Sequence, residues 1–411
     1  MNKKILIIVI GAILLSFSGC NDKRSNNSDN FTGSQITDSQ DPGGKDTSLT
    51  FIKGKLIDDT AVIIEPQYDE CCSFKIEYAK LLPGKDVLDI FEHFYDKLFS
   101  GSFSKEDKDN ECRAIVNDES EENKSSNYPY NNPKISDIKE KILSGAFPDG
   151  VYLYIDSSNG YLAVNANGNL NGFELGRTYN IKKEQSRAGM YFPDNSSEFK
   201  KQAEYNAPIS NDNYQLADKE LTVSEAASAA KALIDDLYSI YNSEIRAAVS
   251  QMTVIDLGDY YGYSMSIIPS YKGIAFDAHE KTGVAGIIKQ KEYSNGKKYE
   301  SMPAYAFLDR SDSLDILIGY QPGAIITEIR KHTKILSREE AKEIIEKTFS
   351  SSVGLNAYKE ELIYTLEIID DSGSVFQAEP AWKFSVIDNN SHKLYIYVNA
   401  VTGECYYEPG Q

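Results

Sequence analysis

The 411-residue chain carries 62 acidic against 43 basic side chains, a formal net charge of −19, and 41% hydrophobic residues. That length and apolar content allow two or three domains with sizeable cores, and the acidic balance argues against nucleic acid or anionic lipid headgroups as partners, which such a surface repels. The 28 Tyr against one Trp point to half-exposed sheets, whose rings pack while their hydroxyls stay wet.

Lys3 and Lys4 precede an apolar run, Ile5 to Phe17, and Ser18-Gly19-Cys20 follows it. A charged head, a greasy middle and small residues at a cut site make a secretory signal over residues 1–19. The run is shorter than the ~20 residues that a permanent bilayer span needs. Removing the leader deletes two lysines and leaves the chain more acidic still. Asn21 to Thr47 is polar, rich in Ser, Asn, Asp and Gly, and nearly devoid of apolar residues. It cannot bury a core, so residues 20–48 are expected to be a disordered tether reaching ~30 Å on average.

Residues 49–197 read as an N-terminal α+β domain. Phe51 to Glu65 is strand material, and Asp86 to Phe99 is an amphipathic helix with Val87, Ile90, Phe91, Phe94 and Leu98 at helical spacing. Ser104 to Pro133 is charged and Asn-rich and is expected as one long exposed loop. Ile135 to Leu143 predicts a second helix. The runs VYLYID and GYLAVNANG and the stretch to Tyr179 predict antiparallel strands with glycine turns.

Residues 198–220 read as a polar connector, and residues 221–335 as a module that opens on a helix, Leu221 to Tyr238. Thr222 or Ser224 can cap it, and Glu225 lies in its first turn, where the dipole favours an acid. Strand-like runs follow. Residues 336–411 begin again in the same way: Ser337 with Glu340 is a capping box ahead of LSREEAKEII, and the strands ELIYTLEIID, AWKFSVID and KLYIYVNA come after it. A helix followed by a small antiparallel sheet is thus expected twice.

Several constellations carry candidate chemistry. Four cysteines remain besides Cys20. A bond between adjacent Cys71 and Cys72 would be strained, whereas a bridge from either to Cys112 is easier to build, with Cys72–Cys112 the candidate; Cys405 would then stay free. No C-x-x-C knuckle supports a metal site. Asp89, His93 and Asp96 share one helix face and could hold a metal, against the simpler reading of a solvated polar face. Asn165 to Gly172 has a calcium-loop rhythm but offers amides in place of carboxylates. Ser197-x-x-Lys200 with Lys281-Thr282-Gly283 lacks the intermediate element of the penicillin-recognising enzymes. No G-x-S-x-G elbow nominates a Ser-His-Asp triad. Trp382, after Pro380, is expected as a core anchor, with a place in a binding groove as the alternative.

Two resemblances carry further expectations. The ending Ser18-Gly19-Cys20 resembles the lipobox of bacterial lipoproteins, which implies that Cys20 is acylated, diacylglycerol and palmitate included, and becomes the mature N-terminus. The C-terminal module resembles PepSY-type domains through LSREEAKEII, Pro380-Ala381-Trp382, Tyr397-Val398-Asn399-Ala400 and Thr402-Gly403-Glu404. With the Tyr-Gly-Tyr strand and Gly273-Ile274, it also resembles uncharacterised extracytoplasmic lipoproteins of low-GC Gram-positive bacteria. The wider group includes the YycH and YycI regulators, which restrain membrane sensor kinases, and offers no catalytic residues to carry over.

The expectation is therefore an α+β protein: an N-terminal α+β domain followed by two helix-plus-antiparallel-sheet (PepSY-like) modules. It would be tethered by lipid at the extracytoplasmic face of the cell membrane, with no cofactor, no metal and no catalytic residues. It would work by contact with an unidentified protein partner, without chemistry of its own. The alternative is a small-ligand or peptide binder with its pocket between the modules, and the third reading is a hydrolase with an unrecognised site.

Overall fold

The computed structural model describes residues 55–58, 61–64, 68, 70–77, 82–99, 111–117, 130–131, 133–147, 150–157, 160–167, 170–176, 200–206, 210–240, 244–277, 289–293, 296–300, 304–311, 313–320, 325–349, 353–369 and 375–409. The signal, Cys20, the tether, Ser197 and Lys281-Thr282-Gly283 lie outside these residues.

The N-terminal part supplies β1 (Leu56–Ile57), β2 (Val62–Ile64), β3 (Cys71–Glu77), α1 (Gly84–Phe99), β4 (Arg113–Asn117), β5 (Tyr130–Asn131), α2 (Ile135–Leu143), β6 (Gly150–Ser157), β7 (Gly160–Asn167) and β8 (Leu170–Gly176). The middle supplies β9 (Lys200–Tyr205), β10 (Asn213–Gln215), β11 (Glu220–Thr222), α3 (Val223–Ile240), β12 (Ile245–Asp256), β13 (Tyr261–Tyr271), β14 (Ile274–Phe276), β15 (Lys289–Tyr293), β16 (Gly296–Glu300), β17 (Ala304–Arg310), β18 (Ser313–Tyr320) and β19 (Ile325–His332). The last part supplies α4 (Arg338–Thr348), β20 (Leu355–Ile368), β21 (Val375–Asp388), β22 (Lys393–Asn399) and β23 (Cys405–Pro409).

Local chemistry explains the helices. Val87, Ile90, Phe91 and Phe94 of α1 are all buried, and Phe94 packs on Phe173 of β8 with ring centroids 4.7 Å apart. Thr222 caps α3: its hydroxyl accepts from Glu225 N at 3.0 Å, and the Glu225 carboxylate accepts from Thr222 N at 2.8 Å. Ser337 and Glu340 make the same reciprocal box on α4.

The α+β expectation is overturned at the level of the sheet. The described residues are predominantly β, and all their strands except the β10–β11 pair are linked in one large mixed sheet. The spine of that sheet is the β20–β21 hairpin, two strands of 14 residues each. Its outer edges are filled by short strands from elsewhere. Along β20 lie β1 and β2, both parallel, then β14, parallel, and β16, antiparallel. Along β21 lie β3 and then β22, followed by β23. A second, antiparallel run passes β9–β12–β13–β17–β18–β8–β7–β6–β4–β5. Strands of the three expected regions therefore pair with one another, and the described residues belong to one compact unit, Leu49–Gln411. Alternating apolar residues reveal a strand but not its partner, which is why the sequence suggested separate modules.

Two polar stretches hold strands. The expected loop Ser104 to Pro133 contains β4, with Ala114 and Val116 buried, and the expected connector 198–220 contains β9, which pairs with β12. Lys272 and Gly273 sit at φ 48° and 88° in the two-residue β13–β14 hairpin, the pattern of a type I′ turn. Gly262 is required by space: a Cβ there would stand 2.6 Å from the Phe307 ring. The resemblance residues near the C-terminus build the β22–β23 turn, where Asn399 Oδ1 accepts from Val401 N and Thr402 N, both at 2.9 Å.

The three regions share one core. Phe74 of β3 touches Tyr271, Tyr364 and Phe276, with centroids 4.7, 4.9 and 6.0 Å away. Phe74→Ala is expected to cost about 3–5 kcal/mol, the range for deleting a buried aromatic ring. Urea denaturation followed by the fluorescence of the single Trp382 checks this.

Candidate functional site

The two faces of the β20–β21 spine carry different chemistry. Leu362, Tyr364, Leu366, Trp382, Phe384 and Val386 are buried, and Ala341 and Ile345 of α4 join the same core. Trp382 is 5% exposed, and its indole N–H donates to Leu336 O at 2.9 Å. It is a core anchor tied to the start of α4, not a groove residue.

Residues of the alternate register hold a buried polar assembly. Lys383 Nζ meets Asp277 Oδ1 at 2.7 Å, with the two side chains 4% and 1% exposed. The ammonium also lies 4.8 Å from the Tyr395 ring centroid and 5.6 Å from that of Tyr397. Lys359 Nζ meets Glu361 Oε1 at 3.1 Å. Asp277 is fixed because its backbone N–H donates to Tyr364 O at 2.8 Å just beyond β14. These groups line a cleft completed by Asn206, Gln251 and Ser266, with a cavity of about 20 Å³, room for about one water. Two ammonium groups face two carboxylates, so the cleft has little net charge to offer a ligand. It acts as an electrostatic latch between the middle region and the spine.

A second cluster joins β1 and β2 to α4 and β20. Lys342 Nζ meets Asp58 Oδ2 at 2.6 Å, and Arg338 Nη1 lies 3.8 Å from the same oxygen and 3.1 Å from Glu360 Oε2. Leu56 N donates to Glu346 Oε1 at 3.2 Å. Glu360 is fully buried, and its Oε1 has no hydrogen-bond partner. Burial first, and the Asp58 charge second, push its carboxyl up to about 7 against the pull of Arg338 and Lys342.

A third cluster escaped sequence reading, since its members are hundreds of residues apart. Ser73 Oγ on β3 lies 2.6 Å from His332 Nε2 at the end of β19, and the Ser73 hydroxyl donates to Glu379 on β21. The carboxylate thus contacts the hydroxyl rather than orienting the imidazole, and Ser73 is 3% exposed between two paired strands. That is not triad geometry. It works as a polar clamp across three strands.

The remaining candidates also find places. No disulfide joins any two of Cys71, Cys72, Cys112 and Cys405, so the expected Cys72–Cys112 bridge is not formed. Cys72 lies on β3 against Tyr364, whereas Cys112 stands at the start of β4, where its carbonyl accepts from Ile135 N of α2. Burial, and then its neighbour Cys72, pushes the Cys71 thiol up to about 12, far from a reactive thiolate. His93 turns to α3: its Nε2 lies 3.1 Å from Asp236 Oδ2, which Lys97 reaches at 2.5 Å. Among the described residues no group of three His, Cys, Asp or Glu side chains is placed to hold a metal ion, and no helix is long and apolar enough to cross a membrane.

Comparison with known proteins places one part of the chain. Residues 335–404 match the PepSY family, described as "Peptidase propeptide and YPEB domain". This match spans the Trp382–Leu336 contact, both capping residues of α4 and the β22–β23 turn. No curated protein matches the chain. One solved structure, an uncharacterised protein from Eubacterium rectale ATCC 33656, is similar over 86% of this chain and 90% of its own, at 13% identity and a TM-score of 0.46. A PepSY-like domain thus occupies the C-terminal part of the molecule.

Two outcomes test the charge clusters. Lys383→Met removes the buried ammonium that Asp277 meets and should cost about 3–5 kcal/mol, whereas adding Asp277→Leu should recover much of the loss. For Glu360 the native state keeps a proton that the unfolded chain releases near 4.5. Its contribution is therefore full below pH 4.5 and is lost as pH rises through about 7. Relative to Glu360→Gln, stability should fall by about 2–3 kcal/mol between pH 4.5 and 8, as read by urea titration at each pH.

Proposed function

We propose that this chain is a non-catalytic protein of the extracytoplasmic membrane face, held there by lipid on Cys20, and that it acts by binding another protein, with regulation of that partner as its role. The observation that carries the reading is the PepSY-like domain at 335–404. The family's description names peptidase propeptides, segments that accompany a peptidase, and a domain of that kind suits a protein whose work is contact. The leader with Cys20 at its cut site and the acidic surface support the location. The sealed Ser73 clamp and the self-neutralised cleft support a role without chemistry, since neither leaves a reactive group open to a substrate. Sheet edges supply natural contact surfaces. Among the described residues β23 pairs only with β22, and Val401 and Tyr407 beside that edge are 39% and 44% exposed.

Two measurements test this. Metabolic labelling with a palmitate analogue should mark the wild-type chain, and Cys20→Ala should abolish both the label and retention in the membrane fraction. Cross-linking in intact cells followed by capture from detergent extracts should return the same protein partner repeatedly. Recovery of no partner across independent captures counts against the reading.

A further inference from the structure

Three tyrosines from three separate strands meet beside the start of α3. Tyr205 ends β9, Tyr214 stands in β10 and Tyr261 opens β13. The Tyr214 and Tyr261 ring centroids are 5.4 Å apart at 71°, and the Tyr205 and Tyr214 hydroxyls are 2.9 Å apart. All three side chains are half-buried, so the group reaches the surface. Fully buried Tyr263, its centroid 6.0 Å from that of Tyr214, backs it.

One carboxylate completes the patch. Tyr205 OH donates to Asp212 Oδ2 at 2.6 Å, so the Tyr214 hydroxyl donates in turn to Tyr205. Hydrogen bonds from Tyr205 and then Ser210 hold the Asp212 carboxyl below the usual carboxylate range, which keeps it charged. The backbone is pinned as well: Asp212 O accepts from Val223 N and Ser210 O from Ser224 N, both at 3.1 Å. Asp212 is nevertheless exposed, and among the described residues no lysine or arginine pairs with it. The nearby acids Glu204 and Asp256 do have such partners, in Lys201 and Lys200. Ring faces beside a fixed, uncompensated carboxylate suit one cation best. A guanidinium lies flat on a tyrosine while its fork gives parallel N–H bonds to a carboxylate, whereas an ammonium matches the charge alone. Tyrosine and arginine are also the residues on which protein contacts concentrate their binding energy. The net charge of −19 steers a basic body toward this chain and repels a second copy of it.

We infer that the Tyr205–Tyr214–Tyr261 patch with Asp212 is a contact surface for an arginine-bearing basic segment of a partner protein, the guanidinium lying against the rings and bonding to Asp212. The inference rests on the interaction reading for its purpose and adds the partner's chemistry to it, but the patch can be measured without the partner.

Binding of fluorescent hexa-arginine and hexa-lysine peptides to the full chain, read by anisotropy, is the test. Wild type should bind the arginine peptide more tightly than the lysine peptide. Asp212→Asn keeps the acceptor for Tyr205 and should weaken arginine binding about tenfold, the worth of one charge-assisted hydrogen bond. Tyr261→Leu should weaken it about threefold and reduce the preference for arginine. Glu343→Gln, which removes the same charge from the exposed face of α4, should change little. A photoreactive hexa-arginine needs no variant and should cross-link to fragments of the wild-type chain that contain Tyr214 or Tyr261. Equal weakening by Asp212→Asn and Glu343→Gln, no preference for arginine in wild type, or cross-links scattered over the acidic surface overturns the inference. If that happens while a partner is still captured from membranes, the interaction reading stands on another surface; a patch that behaves as described with no partner captured sinks that reading alone.

Discussion

A 14-residue hairpin cannot leave both flanks bare, and that constraint organises the molecule. Each unpaired N–H and C=O along β20 or β21 would either be buried without a partner or invite pairing with another chain. The chain answers with short strands drawn from widely separated positions. β1, β2, β14 and β16 share one flank, and β3 and β22 share the other. The PepSY-like domain is thus completed by residues outside the matched segment, and the N-terminal and middle regions owe their attachment to its open edges.

The two faces of the spine divide the remaining work. Apolar side chains seat α4 and the aromatic group around Phe74 on one side, and area removed from water provides the stabilisation there. On the other side Lys383, Asp277, Lys359 and Glu361 replace that simple burial with paired charge. Paired charges so deep contribute modestly to stability, yet breaking one pair is costly, so they fix which residues may meet rather than how strongly. Glu360 departs from this pattern. Its Oε1 is left without a hydrogen bond, beside the short parallel strands β1 and β2.

Much of this was legible where the physics is local. The capping boxes Thr222/Glu225 and Ser337/Glu340 reach three residues, and the helical spacing of Val87, Ile90, Phe91 and Phe94 needs one face. The strands AAVSQMTVIDL, YYGYSMSIIP and AWKFSVID alternate or run apolar as buried strands must, and they stand as β12, β13 and part of β21. The readings that failed were those that needed a neighbour. β4 is hidden in a polar stretch because only alternate residues are buried, β9 because none of its residues is buried, and Cys72 and Cys112 looked bondable because sequence separation says nothing of which side of a sheet a thiol meets.

By itself, the amino-acid order determined the helices and their starts, most of the strands and the C-terminal signature, because each depends on contacts within a few residues. Only the tertiary structure decided that the strands join one mixed sheet, that Asp277 meets Lys383 and Asp58 meets Lys342, and that Ser73, His332 and Glu379 form a clamp. Those pairings are settled by competition among all edges and faces of the folded chain, and no short stretch of sequence carries that information.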